Sequence, residues 1–464
     1  MKRRKFLALS SASLAGTIVP VIGLGQVRPC PPGTLSVTGG QTALTQCVAT
    51  PRGSAPGWFI AQAARTWNAV AANATVNDCF YSPFLIMAGN AGDRNNFNDY
   101  SGATIDQSRR EMLMVANGGH ADYLGNEGYA LALWAETPYW YRLNDPSPSN
   151  TMLFPETNGQ VPYLLRDGRS ASMHTNGIQF YSNGKVWYGM QQYVSSGGGS
   201  PLGGLVAFDR EFPGIPYSNS QPALAWANNS GPWTSLGAWN NSPHALAGIA
   251  ANSWVGTTAC YDSNSGYIYM TAPQNSGLSY LRLNTANGTH GCYFQQSIDG
   301  LAVNAPGRWH AQTVLEDRPF RTNANGVYFS RFENSTSVFL MSLPLSQGNG
   351  SWAKKVTGPT ANVPTRTYGG ASVYHSGAIY FMNWAEYGSQ IFKLTLPVDL
   401  ESDSAWLNAW SIEHMHTAGS PIPIGVNPEG QFSKFNIVRD MGNGQAALVC
   451  APAHDGPTWI YKLA

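Results

Sequence analysis

The densest group of residues that could do chemistry lies at residues 118–127, with the sequence GGHADYLGNE. Its two leading glycines permit a tight turn. Asp122 or Asn126 can fix the tautomer of the His120 imidazole, and Tyr123 supplies a phenol beside it. A histidine and a tyrosine held together can act as the base and the acid of a proton transfer. The alternative is that His120 is only a structural part of a turn that ends a strand.

Strands, and very few helices, must position these residues. Helical periodicity is confined to residues 56–72, whereas strand-length runs rich in Tyr, Val, Ile, Phe and Trp recur between Gly, Asn, Ser and Asp turns. A hairpin is the recurring unit, clearest at residues 177–190, where Ser182-Asn183-Gly184 joins two alternating strands. Further copies begin at residues 103, 258, 311, 371 and 435.

Each hairpin is followed by a third apolar strand and, in five copies, by a fourth, which is expected at residues 223–227 in the second copy. The last copy ends with the chain after three strands, and residues 66–71 near the N-terminus have the pattern of the missing one. A β-propeller joins its two ends in this way. We therefore predict an all-β fold, a β-propeller of four-stranded blades whose ring is closed by an N-terminal strand. Six blades are counted, and the long connections after Phe212 and His414 leave room for a seventh.

Propeller topology selects the candidate site. In each blade, the residues before the first strand and those between the second and third strands meet at one face, here called the near face, around the central channel. The hairpins between the first and second strands lie at the opposite, far face. Charged, polar and aromatic residues expected at the near face are His120, Tyr123, His174, Tyr193, His310, Arg331, Tyr368, Trp384, Tyr387, Lys434 and His454.

The blade pattern with GGHADYLGNE resembles kelch-related bacterial propellers, and the histidine, tyrosine and arginine set is similar to that of the β-propeller polysaccharide lyases, the ulvan lyases among them. The resemblance covers residues 100–464 as architecture. It implies that His or Tyr removes the proton at C5 of a uronate, that Arg offsets the carboxylate charge, and that Tyr or His protonates the leaving oxygen. These roles would fall to the following residues: His120, Tyr123, His174, Tyr193 and Arg331. The chain departs from such lyases after Tyr193, where no arginine occurs before Arg210.

The expected function is thus an exported lyase that cleaves a uronic-acid polysaccharide, ulvan-like, by β-elimination. The other near-face residues, His310, Tyr368, Trp384, Tyr387, Lys434 and His454, are expected to bind the substrate. A non-catalytic glycan-binding or scaffolding propeller is the alternative. A hydrolase would need paired carboxylates, for which the near face offers Asp99, Asp122, Glu127 and Glu386.

The charge balance and the N-terminus bear on partners and compartment. The formal net charge is +1. Residues 1–25 are expected to form an export signal whose Arg3-Arg4 pair resembles the twin-arginine type, with an ordinary secretory signal with a basic start as the alternative. Its loss would remove four cations and leave −3. No basic cluster for nucleic acid remains, and no later run is apolar enough to span a membrane. We expect a periplasmic or secreted monomer that binds an acidic polysaccharide. Residues 26–55 are expected to form an N-terminal extension and residues 56–464 a single propeller domain.

The six cysteines favour disulfides in an exported protein. We expect Cys30 to pair with Cys47 across a Gly- and Thr-rich stretch, and Cys79 to pair with Cys450, which would staple the ring closed. Cys260, His290 and Cys292 are zinc-type ligands, so a structural zinc or calcium ion and a Cys260–Cys292 disulfide stay open alternatives. The expected chemistry requires no cofactor.

Overall fold

A computed structural model of the protein describes parts of the chain between residues 34 and 463. The described backbone comprises residues 34–39, 44–49, 54–70, 75–76, 101–115, 127–143, 175, 179–182, 184–191, 203–209, 233–238, 258–263, 266–274, 277–284, 290–295, 297–298, 301–302, 311–316, 326–331, 337–343, 353–357, 371–383, 390–400, 411–415 and 434–463.

Nearly all regular structure in these residues is β. The N-terminal elements are β1 (Thr34–Gly39), β2 (Leu44–Ala49), α1 (Gly57–Ala61) and β3 (Trp67–Val70). Sheet 1 contains β4 (Thr104–Asp106), β5 (Glu111–Val115), β6 (Gly128–Ala132) and β7 (Trp140–Arg142). Sheet 2 contains β8 (Gln179–Ser182), β9 (Lys185–Gln191), β10 (Gly203–Asp209) and β11 (Trp233–Ala238). Sheet 3 contains β12 (Thr258–Asp262), β13 (Tyr267–Gln274), β14 (Gly277–Asn284) and β15 (His290–Gln295).

A short hairpin, β16 (Ser297–Ile298) and β17 (Leu301–Ala302), precedes the remaining sheets. Sheet 4 contains β18 (Ala311–Leu315), β19 (Gly326–Arg331), β20 (Ser337–Leu343) and β21 (Ala353–Thr357). Sheet 5 contains β22 (Ala371–His375), β23 (Ala378–Asn383), β24 (Gln390–Thr395) and β25 (Ser411–His414). Sheet 6 contains β26 (Phe435–Val438), β27 (Ala447–Cys450), β28 (Thr458–Lys462) and the N-terminal strand β3.

The first strands of these sheets contact one another in a cycle. Contacts link β4 to β8, β8 to β12, β12 to β18, β18 to β22, β22 to β26 and β26 back to β4. Within sheets 1–5 the strands pair antiparallel in chain order, so that later strands lie progressively further from the cycle, and in sheet 6 the outermost strand is β3. The predicted all-β, propeller-like ring of small antiparallel sheets is confirmed.

Apolar side chains fill the spaces between neighbouring sheets. Met112, Met114 and Leu131 of sheet 1 pack with Val449 and Ile460 of sheet 6 in one buried cluster. Every residue of β5 and β6 is buried, because both faces of sheet 1 are covered. At about 1.5–3 kcal/mol for each large apolar side chain removed from water, this packing between sheets is the main stabilisation of the ring.

The N-terminal segment joins sheets that are distant in sequence. Strand β3 pairs antiparallel with β28, Trp67 facing Tyr461. The Trp58 indole donates a hydrogen bond of 2.8 Å to the Ala135 carbonyl oxygen after β6, and Arg65 forms an ion pair with Glu413 of β25. Residues before sheet 1 therefore contact sheets 1, 5 and 6.

Two details of the strand prediction are wrong. The strand that pairs with β10 is Trp233–Ala238, not residues 223–227. In the backbone register, Trp233 lies opposite Phe208, so the outer strand begins ten residues later than the alternation in the sequence indicated. The helix is limited to Gly57–Ala61, because the chain from Trp67 onward is drawn into the edge of sheet 6.

Candidate functional site

Strand register locates the near face. Ala311 at the start of β18 pairs with Arg331 at the end of β19, and Phe435 at the start of β26 pairs with Cys450 at the end of β27. First strands therefore begin where second strands end, and the cycle of first strands brings these edges around one opening. The structure places the backbone of Arg331 at this edge, directly opposite the residue that follows His310.

Sheet 6 brings a lysine, a thiol and a histidine to the near face. Lys434 precedes β26, is 1% exposed, and its carbonyl oxygen accepts the N–H of Ala451 at 3.2 Å. Burial raises the pKa of the neighbouring Cys450 thiol well above its usual value, and the positive charge of Lys434 opposes this rise. His454 lies between β27 and β28, is 6% exposed, and has Nδ1 4.0 Å from a carboxylate oxygen of Asp455. The sheet thus supplies one cation and one titratable imidazole.

Hydrogen bonds between side chain and backbone tie sheets 1 and 2 together at this face. The Gln179 carboxamide donates to the Val115 carbonyl oxygen at 2.8 Å and accepts the Val115 N–H at 3.2 Å. The Thr175 hydroxyl oxygen accepts the N–H of Gly102 at 2.8 Å. Gln179 is 1% exposed and Thr175 is fully buried. These bonds set the positions of the chain segments next to His120 and His174.

The far ends of the first strands carry carboxylates. Asp106 and Asp262 are fully buried at the ends of β4 and β12. Glu316 follows β18 and pairs with Arg439 of sheet 6 at 2.5 Å. Burial raises the pKa of the Glu316 carboxyl, the Arg439 charge opposes this, and the nearby Asp262 adds to the rise. Since sheet 5 separates sheets 4 and 6, the Glu316–Arg439 pair reaches across the far end of the ring.

Several predicted site residues lie outside the described part of the chain. They are His120, Tyr123, His174, Tyr193, His310, Tyr368, Trp384 and Tyr387. Their roles stay predictions. Val115 and Glu127 are the described residues on either side of the segment with His120 and Tyr123, and Thr175 is the described residue that follows His174.

Sheet 3 separates the candidate metal ligands. Cys260 is on β12, whereas His290 and Cys292 are on β15, at opposite edges of the sheet. Three strand spacings of about 4.8 Å, roughly 14 Å in all, lie between them. This exceeds the Cα separation of about 4.4–6.8 Å in a disulfide, and Cys260 is a free, buried thiol. Among the residues whose side chains are described, no group of three or more His, Cys, Asp or Glu could hold a metal ion.

The two predicted disulfides each have one cysteine outside the described residues. Cys47 lies in β2 and faces Ser36 of β1, while Cys30 is not described. Cys450 is buried at the near-face end of β27, while Cys79 is not described. Both pairings stay predictions. No helix in the described part of the chain is long and apolar enough to cross a bilayer.

Sequence reasoning missed Gln179 and the Glu316–Arg439 pair. Gln179 is an ordinary polar residue at the start of a strand, and its importance comes from its contact with a different sheet. One signal was available: Gln179 opens the clearest hairpin of the repeat and is a polar residue at the start of a buried strand. The ion pair joins residues separated by more than a hundred positions, which no local pattern indicates.

Comparisons with known proteins give likenesses of arrangement only. No family model matches the sequence, and no curated protein is similar to it in sequence. A crystal structure of the major Malassezia sympodialis allergen Mala s 1 is 12% identical with a TM-score of 0.40, over 80% of this chain and 93% of the allergen.

Two enzymes are similar to a comparable degree. The periplasmic gluconolactonase PpgL of Pseudomonas aeruginosa is 11% identical with a TM-score of 0.34, over 79% of this chain and 88% of PpgL. The polysaccharide lyase Uly1 is 12% identical with a TM-score of 0.34, over 78% of this chain and 76% of Uly1. Sequence identities and TM-scores this low do not identify a reaction.

Proposed function

We propose that this protein is an exported carbohydrate-active enzyme, a polysaccharide lyase that cleaves a uronic-acid polysaccharide by β-elimination at the near face. In this proposal, sheets 1–6 are the blades of a closed six-bladed propeller whose last blade is completed by β3. The observation that carries the proposal is the cycle of first strands, because it brings Arg331 of sheet 4 and Lys434 and His454 of sheet 6 to the edge of one opening.

An acidic substrate at the near face would meet two basic residues. Lys434 is at this face, and Arg331 ends a strand there. At the far ends of the first strands, Asp106 and Glu316 pair with Arg109 and Arg439, so these carboxylates do not decide between the two faces. We expect ulvan or a similar uronate polymer to bind across the near face.

Elimination from a uronate has a specific electrostatic requirement. The C5 proton is too weakly acidic for a base of pKa near 7, unless the charge that develops on the neighbouring carboxylate meets a preorganised cation or donor. In the proposed reaction a His or Tyr takes the C5 proton, the C–H electrons form the C4–C5 double bond, the C4–O bond breaks, and a Tyr or His protonates the leaving oxygen. We assign base and acid to the set His120, Tyr123, His174 and Tyr193, and carboxylate neutralisation to Arg331.

The test is the appearance of the unsaturated uronate, which absorbs in the ultraviolet, on incubation with ulvan, alginate or pectate. His120→Ala should abolish this signal and leave the thermal unfolding curve unchanged. His375→Ala is the matched control, because His375 ends β22 at the far face, and it should keep activity. Full activity of His120→Ala would remove His120 from the mechanism. A silent wild-type protein that still binds these polymers would favour the non-catalytic glycan-binding propeller.

Export is tested separately. We propose that residues 1–25 direct the folded protein out of the cytoplasm by the twin-arginine route. A reporter fused to these residues should reach the periplasm, and replacement of Arg3 and Arg4 by lysine should retain it in the cytoplasm. Export of the lysine variant at the wild-type level would indicate a general secretory signal instead.

A further inference from the structure

We infer that Gln179 is a positioning residue of the near-face site, which fixes the segment carrying His120 relative to the segment carrying His174. This inference rests on the proposed function, since it assigns Gln179 a role in aligning proposed catalytic residues. The supporting observations are the hydrogen bonds of Gln179 with Val115 and of Thr175 with Gly102.

Gln179 takes the place of a missing strand residue. Thr104 of β4 pairs with Leu113 of β5, and the same register continued by two residues would set Gly102 opposite Val115. Gly102 instead donates its N–H to the hydroxyl of Thr175, which precedes sheet 2 in the sequence. The Val115 N–H and carbonyl, which would otherwise lack this partner in the ladder, are both bound by the Gln179 carboxamide. A side chain of sheet 2 therefore completes the edge of sheet 1.

The location of this exchange gives it a functional consequence. Val115 is the last residue of β5, and the chain then runs through His120 and Tyr123 to Glu127, where it returns to sheet 1. Thr175 directly follows His174 in the sequence. Gln179 thus holds Val115, from which the chain continues to His120, and Gly102 holds Thr175, the residue after His174. A small shift there would misalign a proton donor and acceptor, to which catalysis is far more sensitive than substrate binding.

The chemistry of the side chain makes the inference testable. The contact with Val115 needs one donor and one acceptor, which a carboxamide provides. A glutamate keeps the acceptor but, while ionised, sets a carboxylate oxygen against the Val115 carbonyl. A protonated glutamate again has a donor. Activity of Gln179→Glu should therefore depend on pH in a way that simple destabilisation would not.

The chain contains a matched control at the far face. Gln107 donates to the Ile437 carbonyl oxygen at 2.8 Å and accepts the Arg439 N–H at 2.9 Å, joining sheet 1 to sheet 6. The two glutamines make the same type of contact between sheets, but Gln107 is remote from the proposed catalytic residues. Gln107→Glu loses the same donor and tests whether any loosened junction lowers activity.

The experiment compares the full-length wild type, Gln179→Glu and Gln107→Glu. We expect Gln179→Glu to lower kcat on the cleaved uronate polymer at least tenfold near neutral pH, with KM changed less than about threefold. The ratio of variant to wild-type kcat should rise as the pH falls. Hydrogen exchange should accelerate in peptides covering residues 116–126 in this variant alone, and Gln107→Glu should keep kcat within about twofold.

Any of three results would overturn the inference. They are equal kcat losses in the two variants, a wild-type kcat in Gln179→Glu, and a ratio of variant to wild-type kcat that does not depend on pH. If Gln179→Glu does not fold, Gln179→Met removes both hydrogen bonds without adding a charge, and the same kcat, KM and exchange criteria apply. A wild type inactive on every uronate contradicts the proposed function instead. Hydrogen exchange in residues 116–126 then tests only whether Gln179 holds this segment in place. Faster exchange in the Gln179 variant alone supports that role, and unchanged exchange contradicts it.

Discussion

Replacement of Lys462 by methionine should loosen the N-terminal segment from the ring. Lys462 is the last residue of β28 and is only 7% exposed. Its ammonium group donates to the carbonyl oxygens of Phe59, Ile60 and Gln62, each at 3.2 Å, and lies 5.1 Å from the centre of the Phe59 ring. It thereby satisfies carbonyl groups at the end of α1. Methionine keeps the length of the side chain and removes all of these interactions.

The magnitude follows from opposing effects. Hydrogen bonds to a charged group contribute about 1.5–3 kcal/mol each, and the cation above the ring about 1 kcal/mol. The three hydrogen bonds are long and share one ammonium group, and its burial costs several kcal/mol, which methionine recovers. We expect a net loss of about 2–4 kcal/mol in the free energy of unfolding. With an unfolding entropy of about 2.1 cal/mol/K per residue over roughly 400 residues, Tm should fall by about 2–5 °C.

Calorimetry of the wild type, Lys462→Met and a control measures this change. The control is Lys393→Met, because Lys393 lies partly exposed on β24, and its replacement should change stability by no more than about 0.5 kcal/mol. Limited proteolysis should also cut the chain near residues 62–66 faster in Lys462→Met. Indistinguishable Tm values for the two lysine variants would refute the reasoning that Lys462 anchors α1.

Three further outcomes are expected. Gly442→Ala should destabilise the fold by about 2–3 kcal/mol more than Gly444→Ala. A Cβ on Gly442 (φ +108°) would lie 2.6 Å from the Ala55 nitrogen, whereas a Cβ on Gly444 (φ +75°) would meet no described atom within 4 Å. Equal Tm shifts in the two variants would contradict this prediction. Hydrogen bonds from the Gly442 and Gly444 N–H groups lower the pKa of Asp440, so its stabilisation is present above about pH 4 and is lost as the pH falls through the lowered value. The loss of Tm in Asp440→Ala should therefore be largest near neutral pH and shrink steadily as the pH falls below about 4, and a loss that does not change in a pH series of melting curves would contradict this. Burial raises the pKa of Cys260, so maleimide should label the peptide containing Cys260 only after unfolding, and mass spectrometry showing rapid labelling of the folded protein would count against its burial.

The hairpins were predictable because their signals are local. Alternating apolar residues around Ser182-Asn183-Gly184 predict β8 and β9, and Gly184 adopts the positive φ of +78° that the tight turn requires. The same reasoning found the first two strands of every sheet. It failed for the outer strand of sheet 2, because the segment that pairs with β10 is not set by its own local pattern. A long, Gly- and Pro-rich connection offered more than one suitable segment.

The site was predictable only as a set of positions. Arg331 ends β19, Lys434 precedes β26 and His454 lies between β27 and β28, next to strand ends as the near-face rule expects, and their roles in a site stay predictions. The sequence did not indicate that Lys434 would be buried beside Cys450, nor that Gln179 would complete the edge of sheet 1. Such contacts join residues of different sheets or of opposite strands, and their distances depend on how the sheets pack.

The amino-acid sequence by itself determined the strands, their turns and the order in which they pair, because side-chain alternation and turn residues act over a few positions. Only the tertiary structure decided which segment forms the outer strand of sheet 2, which polar groups meet between sheets, and that Glu316 and Arg439 form an ion pair. The physical reason is that contacts between sheets depend on the close packing of side chains from distant parts of the chain, which short-range patterns do not encode.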